Sequence, residues 1–171
     1  MAAADEQFVE FVQAYSTRLL HAAFLMTGDR HQAEDAVQTA LARTYAAWSR
    51  VQRDDAYAYT RKVLANHVID AWRRPIREHA TDHVPERPVR GDVAHEVIQR
   101  QWLLRALDSL GARERTIVVM RHFFDLSEAE VARELRVTVG TVKRANSRAL
   151  AKLRVTVQPG QTSMVAGEGT A

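Results

Sequence analysis

The chain has 171 residues, a formal net charge of +3 and a hydrophobic fraction of 46%, which are values typical of a soluble protein with one medium domain or two small ones. It contains no cysteine, which excludes disulfides and thiolate metal sites. It has neither an apolar run long enough to span a membrane nor an N-terminal secretory signal, so we expect a cytoplasmic protein without membrane insertion.

Apolar residues recur at steps of three and four over the first part of the chain, which predicts two successive helices. The first is expected to end at Gly28, a residue suited to the left-handed conformation that follows a helix. Asp29 then stands where its carboxylate can cap the second helix. A polar loop is predicted from 49 to 55.

A third helix is predicted from about Ala56 to Arg74, where Pro75 ends it. Its apolar positions form a wide stripe, which indicates packing on more than one side. Tyr59 and Trp72 belong to this stripe, and aromatic residues in such a position are more often core residues than stacking platforms for bases.

The helical spacing disappears from 76 to 92, where prolines lie among charged residues, and this segment is predicted to be a flexible linker. Helical spacing returns from 93 to 155, and the residues from 156 to 171 have the composition of a disordered tail. We therefore predict an all-α protein with two small helical domains, at 5–75 and 93–155.

A helix-turn-helix is predicted in the second domain. Ser127 and Glu130 have the spacing of a capping box at the start of a short helix. Arg136, Val137 and Thr138 form a tight turn, in which a left-handed Arg136 would cost roughly 1 kcal/mol relative to glycine. Val137 is expected to contact the core, and Thr138 to cap the next helix.

Charge supports this interpretation, because the last predicted helix carries several cations and no acid. The basic residues from 140 to 154 are Lys143, Arg144, Arg148, Lys152 and Arg154. Such a run alone is usually a solvated helix face. After a capped helix and a tight turn, it favours DNA binding.

These segments resemble the domains of one family. The segment 126–154, with VTVGTVK at 137–143, resembles domain 4 of bacterial sigma factors, which recognises the minus-thirty-five promoter element. AEDAVQ at 33–38 resembles the domain 2 helix that docks on RNA polymerase, and 58–74 resembles the promoter-melting and minus-ten helix. The chain is thus similar to extracytoplasmic-function (ECF) sigma factors, and most of all to the actinobacterial SigE-type subfamily.

The resemblance implies a non-enzymatic initiation factor that needs no cofactor or metal. The implied partners are promoter DNA, the clamp coiled coil and flap of core RNA polymerase, and an anti-sigma factor. The residues implied for minus-thirty-five DNA are Thr141, Lys143, Arg144, Ser147 and Arg148. Those implied for minus-ten DNA are Arg61, Lys62, Asn66, Asp70, Arg73 and Arg74, with the 49–55 loop receiving a flipped base. Those implied for polymerase are Asp35, Gln38, Leu41 and Arg43.

Several alternatives stay open at this point. Asn66 and Asp70 are about as well explained as a polar pair that braces their helix. His79 and His83 have a spacing that zinc could use, but they lie in the proline-bearing linker without an evident third ligand. A stand-alone regulator with a helical sensor domain would share the DNA-binding end, whereas a purely structural helical protein would leave the basic helix unexplained.

Overall fold

The computed structural model of the chain describes residues 2–51, 56–74 and 93–157, and these ranges contain α-helices and no strand. The helices are α1 (Ala2–Thr27), α2 (Arg30–Ala46), α3 (Ala56–Arg73), α4 (Val93–Asp108), α5 (Ala112–His122), α6 (Glu128–Leu135) and α7 (Val139–Val157). The predicted all-α fold is confirmed.

The first three helices contact one another and enclose an apolar core. Leu19 of α1 and Leu64 of α3 are fully buried in it. Gly28 has a φ of +72° and ends α1, while the Asp29 carboxylate accepts a 2.8 Å hydrogen bond from the backbone N–H of Gln32. Both local predictions are confirmed, and together they set the sharp turn by which α2 folds back on α1.

The last four helices form a second group in which α7 contacts α4, α5 and α6. Ile117 and Met120 of α5, Val131 of α6 and Val142 of α7 have no exposed surface. These side chains hold the two helices of the helix-turn-helix against α5.

The two groups also pack against each other, because α5 contacts both α1 and α3, and α6 contacts α3. One cluster of buried apolar side chains extends through both groups. Arg115 of α5 is only 3% exposed; it donates to the Leu25 carbonyl at the end of α1 over 2.6 Å and to Asp108 over 2.7 Å. The described residues therefore form one body, an arrangement that the sequence did not predict.

The end of α3 differs from the prediction. Trp72 is 52% exposed, so its assignment to the core was wrong. Residues 70–74 are all exposed, which means that the last turn of α3 extends beyond the helices that cover the rest of its apolar stripe. Tyr59, in the first turns of the same helix, is half-buried.

Some predictions fall outside the described residues. These are the 76–92 linker with His79 and His83, residues 52–55 of the polar loop, and the tail from 158 onward. Residues 156 and 157 are helical, so the predicted tail begins two residues too early. In the described ranges no group of histidines and acids has the arrangement of a metal site, and no helix is long and apolar enough to cross a membrane. The domain boundaries stay predictions.

Candidate nucleic-acid interface

The helix-turn-helix is fixed by local hydrogen bonds at both of its helices. The Ser127 hydroxyl accepts from the Glu130 N–H over 3.1 Å, and the Glu130 carboxylate accepts from the Ser127 N–H over 2.7 Å. Arg136 is left-handed, with φ 55° and ψ 44°. The Thr138 hydroxyl accepts from the Thr141 N–H over 3.1 Å and so caps α7. The predicted capping box, tight turn and threonine cap are all confirmed.

The exposed face of α7 near the helix N-terminus forms an open, shallow cationic surface, which we call the groove of α7. The residues that line it are Gly140, Lys143, Arg144, Ser147 and Arg148, and all of them are exposed. The positive end of the helix dipole adds to these charges. The groove therefore collects four of the five residues implied for minus-thirty-five DNA on one accessible face.

Thr141, the fifth residue, lies beside the groove at the start of α7, next to the Thr138 cap. Its side chain is half-buried, and its hydroxyl lies 2.8 Å from that of Thr138. Lys152, further along α7, forms a 2.8 Å ion pair with Glu114 of α5. These two residues orient the helix, whereas the groove residues face solvent.

One buried polar contact on the inner face of α7 was missed by sequence reasoning. Asn146 is 8% exposed, and its side-chain oxygen lies 3.2 Å from the His122 Nε2 at the end of α5. A buried amide needs such a partner, so the pair fixes the rotation of α7 about its axis. The available signal was an asparagine at a position where the helical spacing expects an apolar residue.

The six residues implied for minus-ten DNA, five on α3 and Arg74 directly after it, fall into three sets. Asp70, Arg73 and Arg74 are exposed at the end of the helix, with 4.0 Å between the Asp70 carboxylate and the Arg73 guanidinium. Lys62 is half-buried. The remaining two, Arg61 and Asn66, contact α6 of the second group.

The contacts of Arg61 and Asn66 have the same partner. Arg61 forms an ion pair with the Glu134 carboxylate, with 2.5 Å between Nη2 and Oε1. The Asn66 amide donates to the Glu134 carbonyl over 3.0 Å and to the Lys62 carbonyl over 2.8 Å. Asn66 thus braces its helix against α6 rather than against Asp70, and sequence reasoning gave no signal for Glu134.

The residues implied for polymerase binding lie along the outer face of α2. Asp35, Gln38 and Arg43 are exposed, whereas Leu41 is half-buried and packs against the core. Gln38 also lines an open groove of about 200 Å³ between α1 and α2. The remaining residues of this groove are Ser16, Thr17, Leu20, Glu34 and Val37.

Comparison with known families accounts for both helical groups. The family model described as Sigma-70 region 2 matches residues 11–77, and that described as Sigma-70, region 4 matches residues 100–153. Two models of one family, in order, cover most of the chain. The chain belongs to the sigma-70 family of sigma factors. A sigma factor directs the initiation of transcription, a function that a stand-alone regulator does not share.

Individual relatives place this sigma factor in the ECF group. It is 37% identical to the RNA polymerase sigma-E factor of Streptomyces coelicolor, over 86% of this chain and 84% of the relative. It is 32% identical to the ECF RNA polymerase sigma factor SigL of Mycobacterium tuberculosis, over 80% of each chain. These matches confirm the resemblance to actinobacterial SigE-type factors.

A solved structure shares the fold of this sigma factor. CnrH, determined in complex with the cytosolic domain of CnrY, matches with a TM-score of 0.62 and 20% identity, covering 88% of this chain and 86% of that one.

Proposed function

We propose that this sigma factor binds core RNA polymerase, recognises a minus-thirty-five element through the groove of α7 and holds melted minus-ten DNA along α3. The observation that carries the proposal is the cationic groove of α7. Lys143, Arg144 and Arg148 project from it without a neighbouring acid in its lining, on a helix whose inner face is fixed by Val142 and Asn146.

The exposed face of α7 suits duplex DNA because the major groove of DNA is wide enough to admit an α-helix. Lys143 and Arg144 lie near the N-terminal end of α7, where a recognition helix contacts base edges, and Ser147 is one turn further along. Arg148 is expected to contact a phosphate, which positions the helix without contributing to sequence preference. Thr141, whose backbone N–H donates to the Thr138 hydroxyl that caps α7, completes the proposed contact with the minus-thirty-five element.

The exposed end of α3 is the proposed entry for minus-ten DNA. Arg73 and Arg74 supply positive charge for the backbone of the strand. Trp72 is exposed beside them, and an exposed indole is a stacking platform for an unpaired base. The proposed surface for minus-ten DNA also includes Arg61, Lys62, Asn66 and Asp70.

The outer face of α2 is the proposed contact with the clamp coiled coil of polymerase, through Asp35, Gln38 and Arg43, with Leu41 supporting the helix from the core. Domain 4 contacts the flap. Because core polymerase carries out the chemistry, the sigma factor itself acts in the cytoplasm as a non-enzymatic subunit. An anti-sigma factor is a further proposed partner; CnrH, which has the same fold, was solved in complex with the cytosolic domain of another protein, CnrY.

The proposal is tested by run-off transcription from a randomised promoter library with purified actinobacterial core polymerase. We expect the full chain to select promoters with two conserved elements, and Lys143→Ala to lose selectivity at the upstream element. Arg105→Ala removes an exposed cation on α4, outside the groove, and is expected to behave as the wild type. The absence of any start site with active core polymerase contradicts the proposal.

The polymerase contact is tested separately by co-purification with core polymerase. Gln38→Ala is expected to weaken the association. Gln101→Ala changes the same residue type at an exposed position of α4, outside the proposed polymerase contact, and is expected to bind as the wild type. Equal binding by the two variants contradicts the assignment of this face.

A further inference from the structure

The contact between the two helical groups contains two charged side chains, those of Arg61 and Glu134, that are almost fully enclosed. We call this contact the seam and define it by Arg18, Tyr57 and Arg61 on one side and Phe124 and Glu134 on the other. At its centre, Arg61 Nη2 lies 2.5 Å from Glu134 Oε1, and Arg61 Nε lies 3.3 Å from Glu134 Oε2. The side chains are only 12% and 9% exposed, so this is a two-point ion pair shielded from solvent.

Aromatic rings surround the Arg61 guanidinium. It lies 5.8 Å from the centre of the Tyr57 ring and 5.7 Å from that of Phe124, distances at which a ring face attracts a cation. Nearby, Arg18 lies 5.5 Å from the centre of the Phe123 ring and donates to the Phe123 carbonyl. Burial raises the pKa of the Tyr57 hydroxyl, although Arg18 and Arg61 act in the opposite direction.

The seam involves residues that the proposed function assigns to minus-ten DNA. While it is paired with Glu134, the Arg61 side chain is only 12% exposed, so a phosphate has little access to it, and the Asn66 amide is bonded to the Glu134 carbonyl. A buried ion pair that loses one partner leaves an uncompensated charge. DNA must therefore replace Glu134 at Arg61 rather than add to it.

The closed arrangement is also too small for a promoter. Elements centred about 25 base pairs apart are separated by roughly 85 Å along duplex DNA. In the closed arrangement α3 contacts α6, and α6 contacts α7. Since the axes of packed helices lie about 8–10 Å apart, the axes of α3 and α7 are within roughly 20 Å of each other. The 18 residues from 75 to 92 can span at most about 60 Å. Together with the widths of the two domains, this length covers the distance between the promoter elements once the seam separates.

We propose that the Arg61–Glu134 pair is a latch that holds the free sigma factor closed and covers part of its minus-ten surface. This inference rests on the proposed function for the identity of the covered surface. The faces of α2 and α7 stay exposed in the closed form. Core polymerase and minus-thirty-five DNA can therefore bind before the latch opens, and melted minus-ten DNA then competes with Glu134 for Arg61.

Distance measurements between two spin labels test the latch in the full chain without polymerase. The chain has no cysteine of its own, so Gln13→Cys on α1 and Ala151→Cys on α7, both exposed, give two unique label sites. We expect one short, narrow distance distribution for this labelled parent. Glu134→Gln keeps the shape of the side chain and removes its charge, and should increase the separated population at least about tenfold.

Two further variants separate the latch from general damage to the fold. Glu128→Gln removes an acid from the first turn of the same helix, outside the seam, and should leave the distribution unchanged. Arg61→Glu and Glu134→Arg should each open the protein, whereas the charge exchange that combines them should restore the short distance. Circular dichroism of every variant verifies that the helices are intact.

The inference is overturned if Glu134→Gln and the parent give the same distribution, or if the charge exchange stays as open as the single variants. These outcomes are independent of the proposed function. A chain that closes but directs no transcription contradicts the proposed function alone, whereas a chain that directs transcription and shows no latch-dependent closure contradicts this inference alone.

Discussion

The hydroxyl of Thr44 on α2 lies 2.8 Å from the hydroxyl of Thr60 on α3, and neither side chain has any exposed surface. Each hydroxyl also lies within hydrogen-bond distance of the carbonyl four residues earlier, that of Ala40 or Ala56. Because the two oxygens lie at hydrogen-bond distance and each hydroxyl has one hydrogen, one threonine donates to the other across the two helices while the second donates to a carbonyl of its own helix. This contact connects the helix proposed for polymerase with the helix proposed for minus-ten DNA.

The threonine contact predicts non-additive mutations. Thr44→Val or Thr60→Val alone should lower the free energy of unfolding by about 1 kcal/mol, because each removes the shared hydrogen bond with little change in volume. The double variant loses that bond only once, so its cost should be about 1 kcal/mol below the sum. Urea denaturation measures all four proteins, and strict additivity would show that the hydroxyls do not interact.

The capping box predicts a dependence on pH. Hydrogen bonds from Ser127 hold the pKa of Glu130 below its ordinary value. A lowered folded-state pKa adds stability above the unfolded pKa, which is lost as the pH falls through the folded value. Between about pH 6 and pH 3 the wild type should therefore lose more stability than Glu130→Gln, which does not titrate. Parallel stability curves for the two proteins would contradict this.

The left-handed turn before α7 predicts a stabilising substitution. Arg136→Gly should raise the free energy of unfolding by about 0.5–1 kcal/mol, because the cost of a left-handed side chain exceeds the added freedom of glycine in the unfolded chain. Arg133→Gly, inside α6, should instead lower it by about 1 kcal/mol. Thermal or urea unfolding compares the two variants, and the same sign for both would refute the argument.

The groove of α7 predicts a change in salt dependence. If Arg148 contacts a phosphate, Arg148→Ala should weaken promoter binding by the polymerase complex on all sequences alike. It should also reduce the slope of log K against log salt by about 1. Fluorescence anisotropy at several salt concentrations measures this slope, with Arg105→Ala as the control. An unchanged slope would place Arg148 away from the phosphates.

Local features of the fold could be predicted from sequence because they depend on residues close in the chain. The capping box of Ser127 and Glu130, the left-handed Gly28 and the Asp29 cap each require only a spacing of a few residues. The exposed cationic face of α7 was predicted in the same way, from the charges and their helical spacing. These predictions needed no knowledge of how the helices pack.

The seam could not be predicted, because it joins residues far apart in sequence. Arg61 and Glu134 are 73 positions apart, and nothing in the spacing of α6 distinguishes a buried acid from a solvated one. The prediction that Trp72 is a core residue was wrong for a related reason. The helical period identifies the apolar stripe of α3 but not how far the neighbouring helices cover it. Which residues contact which DNA element stays a prediction for experiment.

The Arg115 hydrogen bond to the Leu25 carbonyl has a consequence for synthesis of the chain. The two residues are 90 positions apart, so at about 5–20 residues per second the ribosome makes Leu25 roughly 5–20 s before Arg115. During that interval the end of α1 lacks its arginine partner, and the Tyr57 ring lacks its contact with the Phe124 ring, whose centre lies 6.2 Å away in the folded protein. The nascent first half therefore presents an uncovered aromatic surface, and this is the stage at which a chaperone would be of most use to it.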